Sequence, residues 1–443
     1  MLDKNYINLL KEFVSYKSIS TDSAYKKDIQ KTVDWLQGLF KDAGFETETY
    51  SGKTCNPVVY ANYKLNPKAK TVLVYGHYDV QPAQKEDGWD SDPFTLTESS
   101  NRLIARGVVD NKGQVLTHIY TVIKLIKEGK LAYNVKFLVE GNEETANEDM
   151  PAIVKKHKAK LKANHIVVSD GEIAGDSPVI EYSLRGGFNT KLTYISGKNN
   201  LHTGIYGGTV PNAAYELSKF ISKLYDPQGK IAIPGFYNDV DAVTKEQEAA
   251  NKKLVSSNKS IQELAGVKKL YLGKGENFYT KACLMPTIEI TGIKSGYIGE
   301  GYANIIPCQA EVRVNFRTVR SQNMPKLIEN YQKFIKKHTP DFIDYKFEHT
   351  EPYKAIKIDI NSAIVKKVQA LLGIAYGTPA LVKPVGGGIP VVCDFKDELG
   401  VDSMLISLGN EDCNMHGVNE NFRIDLLEKG VAFSEMFFTG QAE

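Results

Sequence analysis

Over 3–45, apolar residues recur at intervals of three and four, as in Leu9, Leu10, Phe13 and Val14 and again in Val33, Leu36 and Phe40. That spacing predicts two amphipathic helices. The period then changes. Short β-branched runs at 58–63, 71–75, 135–139 and 166–168 are separated by helical stretches at 114–127 and 149–160. Strands alternating with helices predict an α/β fold, a mostly parallel sheet with helices on both faces.

From Arg185-Gly186-Gly187 the order is different: a strand over 188–195, a helix over 213–224, strands over 287–291 and 310–316, a helix over 322–337 and a strand over 345–349. This β-α-β-β-α-β succession predicts a smaller α+β domain of ferredoxin-like plan. The residues between 224 and 287, with a polar helical piece over 241–258, fall outside that plan. After 353 the first pattern resumes, with a helix over 360–372, a strand over 404–407 and a helix over 424–438. The expected organisation is one α/β domain, 1–185 together with 353–443, interrupted by an inserted domain, 186–352.

Composition narrows the function classes. At 443 residues and 42% hydrophobic, the chain can bury more than one core. Fifty-five Lys and Arg against fifty-three Asp and Glu leave a net charge of +2, which gives no general basis for binding nucleic acid or an anionic membrane. Cys55, Cys283, Cys308, Cys393 and Cys413 are odd in number and never form a C-x-x-C pair, so neither a disulfide framework nor a thiolate zinc cage is expected. The amino-terminal residues interleave charges with apolar positions, unlike a signal peptide, and no apolar run is long enough to span a membrane. These features predict a cytoplasmic protein.

Ligand-type side chains collect at predicted strand ends. His77, in Gly76-His77-Tyr78-Asp79, follows the strand over 71–75; Glu143 and Glu144 follow the strand over 135–139; Asp170 follows that over 166–168; His416 lies beyond that over 404–407. Asp110 precedes the helix over 114–127. In open α/β sheets the carboxyl ends of the strands are where loops converge on a ligand. Oxygen and nitrogen donors without thiolate suit zinc, manganese or cobalt, and this many ligands suit two ions sharing a carboxylate. Of the adjacent Glu143 and Glu144, one can bind metal while the other takes a proton. Asp79, two residues from His77, can share its side and fix the imidazole tautomer.

The motifs GHYDVQP (76–82), GWDSDPF (88–94), RGVVDNKGQ (106–114), EGNEE (140–144), VVSDGE (167–172), LRGG (184–187), LHTGIYGG (201–208) and GKIAIPG (229–235) occur in this order. The chain thereby resembles the two-metal peptidases and deacylases that include carnosine dipeptidase, aminoacylase, acetylornithine deacetylase and carboxypeptidase G, and is most similar to the carnosinase and cytosolic non-specific dipeptidase branch. The resemblance implies that His77 and Asp170 hold one ion, Glu144 and His416 the other, with Asp110 bridging, Asp79 orienting His77 and Glu143 as general base. Asp170 implies dipeptide substrates, although Glu172 is near enough to compete for its place. The resemblance further implies that the inserted domain acts as a lid and dimerisation domain in a homodimer. From it His202 reaches the scissile carbonyl, and Arg317, with Asn304 before it, meets the substrate carboxylate. Gly387 and Gly388 lie in Gly-Gly-Gly-Ile-Pro, where carnosinase-like members have Gly-Gly-Ser-Ile-Pro, so a serine hydroxyl expected near that carboxylate is missing.

The implied activity is hydrolysis of dipeptides or short peptides. N-acyl amino acid deacylation or aminopeptidase action would use the same site, and a non-enzymatic metal-binding scaffold is the rival from another class. The motifs of NAD-linked oxidoreductases, G-x-S-x-G hydrolases and P-loop nucleotidases are all absent.

Overall fold

In the computed structural model, which describes residues 2–254 and 258–442, nine strands form the main sheet. Its order is Glu46–Tyr50, Val58–Tyr63, Asn134–Glu140, Thr71–His77, His165–Val168, Ser403–Ser407, Val179–Leu184 and Ile356–Lys357, with Leu381–Val385 also paired to Val179–Leu184. The four strands from Asn134–Glu140 to Ser403–Ser407 are parallel, as the alternation predicts. Antiparallel pairs flank that centre on both sides.

Alternate residues of one strand enter different cores. Val72 and Val74 pack with the helices Lys4–Ser15, Lys26–Asp42, Lys112–Lys127, Ala363–Tyr376 and Ile424–Met436. Leu73 and Tyr75 pack on the other face with Met150–Leu161 and Val391–Leu399. Burial on both faces explains the unbroken apolar runs of the central strands.

A second, four-stranded sheet has the order Thr287–Ser295, Gln309–Thr318, Gly186–Ile195, Asp344–His349, all antiparallel. Helices Ala213–Ser222 and Met324–His338 cover it and share its separate core through Leu217, Phe220, Tyr331 and Phe334. This is the ferredoxin-like arrangement read from the sequence. The intervening segment belongs elsewhere. Helix Lys245–Lys253, capped by Thr244, carries the polar helical pattern predicted over 241–258, of which 255–257 lie outside the described residues. Leu254, with Tyr279 and Cys283 of helix Phe278–Leu284, packs against Val179 and Leu381 of the main sheet.

The five cysteines are unpaired. Among the described residues no helix is long and apolar enough to cross a membrane.

Candidate metal centre

The carboxyl ends of the parallel strands bring five side chains together. His77 closes Thr71–His77, Asp170 follows His165–Val168 and Asp110 precedes helix Lys112–Lys127. Asn134–Glu140 leads into a turn of 3₁₀ helix, Glu143–Thr145, and a loop after Ser403–Ser407 supplies His416. His77 Nε2 lies 3.1 Å from Asp110 Oδ1 and 3.5 Å from Asp170 Oδ2. His416 Nε2 lies 2.8 Å from Asp110 Oδ2 and 3.2 Å from Glu144 Oε2. The side chains thus form two groups, His77-Asp110-Asp170 and Asp110-Glu144-His416, each able to surround an ion. Asp110 belongs to both and turns one oxygen towards each histidine. Glu172 lies outside them and accepts from Cys413 Sγ at 3.2 Å.

The surrounding hydrogen bonds set tautomer and position. His77 Nδ1 is 3.0 Å from the carbonyl oxygen of Asp79. A carbonyl only accepts, so Nδ1 carries the proton and the neutral ring keeps its lone pair on Nε2, the atom facing Asp110 and Asp170. The Asp79 carboxylate, 3.4 Å from Nδ1, accepts from the backbone N–H groups of Glu143 and Glu144 at 3.2 Å and from Ser20 Oγ at 2.7 Å. Asp79 therefore orients His77 mainly through its backbone, while its side chain fixes the glutamate turn. Gln81 Nε2 donates to Glu144 Oε2 at 2.8 Å.

Glu420 was invisible to sequence reasoning. It is fully buried, accepts from the N–H groups of Gly107, Val109 and Asp110, and pairs with Arg106 Nη1 at 2.8 Å. Arg106 Nη2 in turn donates to the carbonyl of His416 at 3.1 Å. One buried ion pair thus ties two ligand loops that are 306 residues apart. No local pattern announces it; only the fold brings Glu420 under Asp110.

The donor set fits divalent cations. His77 Nε2 is buried without a hydrogen-bond partner, although two carboxylates lie beside it. A buried ring nitrogen left without a hydrogen bond between two carboxylates is what an ion seated among them would satisfy. The electrostatics agree. For His77, burial favours the neutral ring, but the negative charge of the neighbouring Asp110, Asp170 and Asp79 outweighs it and raises its pKa well above the ordinary value. His416 is pushed up to about 10, first by Asp110 and then by Glu144. Burial raises the Asp170 carboxyl, and Asp110 adds to the rise. The Glu143 carboxyl is raised by burial, partly offset by His77 and reinforced by Asp170 and Asp110. Carboxylates outnumber the imidazoles here, and buried negative charge in excess needs positive charge brought in.

The remaining candidate residues lie apart. His202 is exposed, pairs with Ile305 in a two-stranded ladder and accepts through Nδ1 from Gly204 N–H at 3.0 Å. The carbonyl of Asn304 accepts from Thr203 N–H. Arg317, opposite Gly187 in the smaller sheet, donates to the Tyr353 hydroxyl. The Gly387 carbonyl accepts from Arg185 N–H, and Gly388 abuts Arg185 and Tyr353. Among the described residues, no hydrogen bond or ion pair joins these five to the ligand side chains.

Residues 73–439 match the profile described as Peptidase family M20/M25/M40. The chain belongs to this family. Among its M20/M25/M40 relatives, the Cys-Gly metallodipeptidase dug1 of Schizosaccharomyces pombe is 28% identical over 96% of this chain and 93% of that protein. The Beta-Ala-His dipeptidase of Homo sapiens is 27% identical over 86% of this chain and 79% of its own. The crystal structure of an M20 family metallo-carboxypeptidase from Sulfolobus solfataricus superimposes with a TM-score of 0.90 at 30% identity, covering all of both chains. The resemblance read from the motifs therefore holds for the family and for the dipeptidase branch.

Proposed function

We propose that this chain hydrolyses the peptide bond of dipeptides and short peptides at a centre of two divalent cations. The observation that carries the reading is the division of Asp110 between two ligand groups, one oxygen facing His77 and the other His416. In this reading His77, Asp110 and Asp170 hold one ion, and Asp110, Glu144 and His416 the other. The oxygen and nitrogen donors favour zinc, with manganese or cobalt as substitutes. Bound cations would supply Lewis acidity to the scissile carbonyl and the attacking water.

The protein's own groups do the rest. Glu143 stands beside the ligands without belonging to either group, its backbone held by Asp79. Its carboxylate takes the water proton and returns it to the leaving amine nitrogen. Arg317 offers a two-pronged fork to the substrate carboxylate, with Gly387 and Gly388 on its side of the site, while Asn304 meets substrate from the His202 end of the inserted domain. His202 donates to the developing oxyanion. We assign 1–185 and 353–443 to the catalytic domain and 186–352 to the inserted one, through which two copies pair. Support for pairing comes from apolar side chains in water on that part, among them Ile205 at 71% and Ile298 at 83% exposure. The unpaired cysteines favour a reducing, cytoplasmic setting.

The names of the relatives, Cys-Gly and Beta-Ala-His dipeptidases, support dipeptides. The metallo-carboxypeptidase neighbour supports a second reading, removal of the terminal residue from longer peptides. Metal-loaded protein should be incubated with free dipeptides, tripeptides and N-acyl amino acids. Rapid turnover of the dipeptides is expected, and turnover confined to the acylated set would replace this reading with deacylation. Glu143→Ala should bind metal normally yet lose about a hundredfold or more in kcat; retained hydrolysis would remove Glu143 from the base role.

A further inference from the structure

Gly388 stands where the dipeptidase pattern has serine, and its surroundings show why serine is excluded. A Cβ there would meet the carbonyl oxygen of Arg185 at 2.6 Å and Tyr353 Cε2 at 2.9 Å. No side chain fits without displacing backbone. The ring that fills this space carries a hydroxyl of its own, which accepts a hydrogen bond from Arg317 Nη1 at 2.6 Å. Its backbone is fixed as well: Tyr353 N–H donates to the Gly187 carbonyl and Gly187 N–H donates to the Tyr353 carbonyl, each at 3.0 Å. Gly187 is also the residue opposite Arg317 in the smaller sheet. Ring and guanidinium are therefore registered on one backbone position.

The chemistry of this pair is that of a receptor. A phenol oxygen that accepts from a guanidinium keeps its own O–H to donate, and the adjacent cation strengthens that donor. Among the described residues no carboxylate lies within ion-pair distance of Arg317, and the Tyr353 hydroxyl has no other hydrogen-bond partner. Arg317 also lines an open cavity of about 710 Å³ together with Arg185, Lys281 and Glu289. A neutral O–H donor beside a cationic N–H fork matches the two oxygens of one carboxylate.

We propose that Tyr353 is a substrate-binding residue, whose hydroxyl joins Arg317 in receiving the free carboxylate of the peptide substrate and takes the part that serine has elsewhere in this branch. The inference rests on the hydrolase reading above. It makes Gly388 and Tyr353 one exchange: the glycine clears the space that the aromatic ring occupies.

Tyr353→Phe keeps the ring against Gly388 and removes only the hydroxyl. With the full-length, metal-loaded protein, KM is measured for alanyl-leucine, and Ki for alanyl-leucine amide as a competitive inhibitor lacking the carboxylate. The variant should raise KM roughly tenfold or more, the usual effect of losing a hydrogen bond to a charged group. Its kcat and the Ki of the amide should stay unchanged, so the gap between acid and amide narrows. An unchanged KM, or equal rises in KM and Ki, overturns the inference while wild-type turnover leaves the hydrolase reading standing. Failure of the wild type to hydrolyse any dipeptide overturns both.

Discussion

At Glu420 one buried carboxylate accepts from the N–H groups of Gly107, Val109 and Asp110 in one loop and pairs with Arg106, itself only 3% exposed. Truncating such a group leaves the guanidinium buried without its counter-charge and the three backbone donors without their acceptor. Glu420→Ala should therefore cost about 3–5 kcal/mol of stability in denaturant unfolding. Because the freed loop carries Asp110, calorimetric titration should show weaker metal binding at both positions. A variant of wild-type stability would mean that Arg106 finds another acceptor. The proposed metal ligands were legible in the sequence because most of them are ligand-type side chains at or just beyond the end of an apolar run, as His77 is after Val72, Leu73 and Val74. Glu420 and Tyr353 have no such mark. Their roles arise from contacts with Asp110 and Arg317, far away in sequence, and nothing in their own neighbourhoods distinguishes them from ordinary loop residues.

Among the elements, strand Val179–Leu184 was not predicted, yet every residue in it is buried and it joins Ser403–Ser407 to Leu381–Val385. Its alternating polar positions resemble a half-exposed strand. Glu181, one of them, is instead enclosed and accepts from Ser407 Oγ at 2.7 Å. Burial above all pushes its carboxyl up from 4.5 to about 7, with Lys383 and Ser407 working the other way. A carboxyl raised on folding favours the native state when protonated; that contribution is complete below pH 4.5 and lost as pH rises through about 7. In chelator, the thermal midpoint of Glu181→Gln should thus gain on that of wild type between those values, and a constant difference across the range would refute the assignment. The elements that were legible, such as Thr71–His77 and Met324–His338, announce themselves by continuous apolar runs or a clear helical stripe. Glu46–Tyr50, mostly polar, and the two-residue Ile356–Lys357 owe their pairing to neighbours already in place, so their sequences carry little signal.

For the molecule as a whole, the two ligand groups tie strands of the main sheet to a loop near residue 416. Ions that bind only the folded arrangement stabilise it in proportion to their occupancy. Stripping metal with a chelator should lower the thermal midpoint by several degrees, and zinc should restore it; a midpoint indifferent to metal would count against the two-cation centre. The inserted segment shows where reading by pattern stopped: helices Lys245–Lys253 and Phe278–Leu284 are interposed in the smaller unit's sequence, yet residues in and beside them pack on the larger sheet. Sheet order has one more consequence. Ser403–Ser407 occupies the slot between His165–Val168 and Val179–Leu184, two strands that follow each other in the chain. On the ribosome those two emerge long before their partner, and domains built this way wait with open strand edges. His416 arrives later still. With the proposed ligand set, no nascent chain short of that residue possesses both ion positions, and attack on peptides has to wait until synthesis has passed that point.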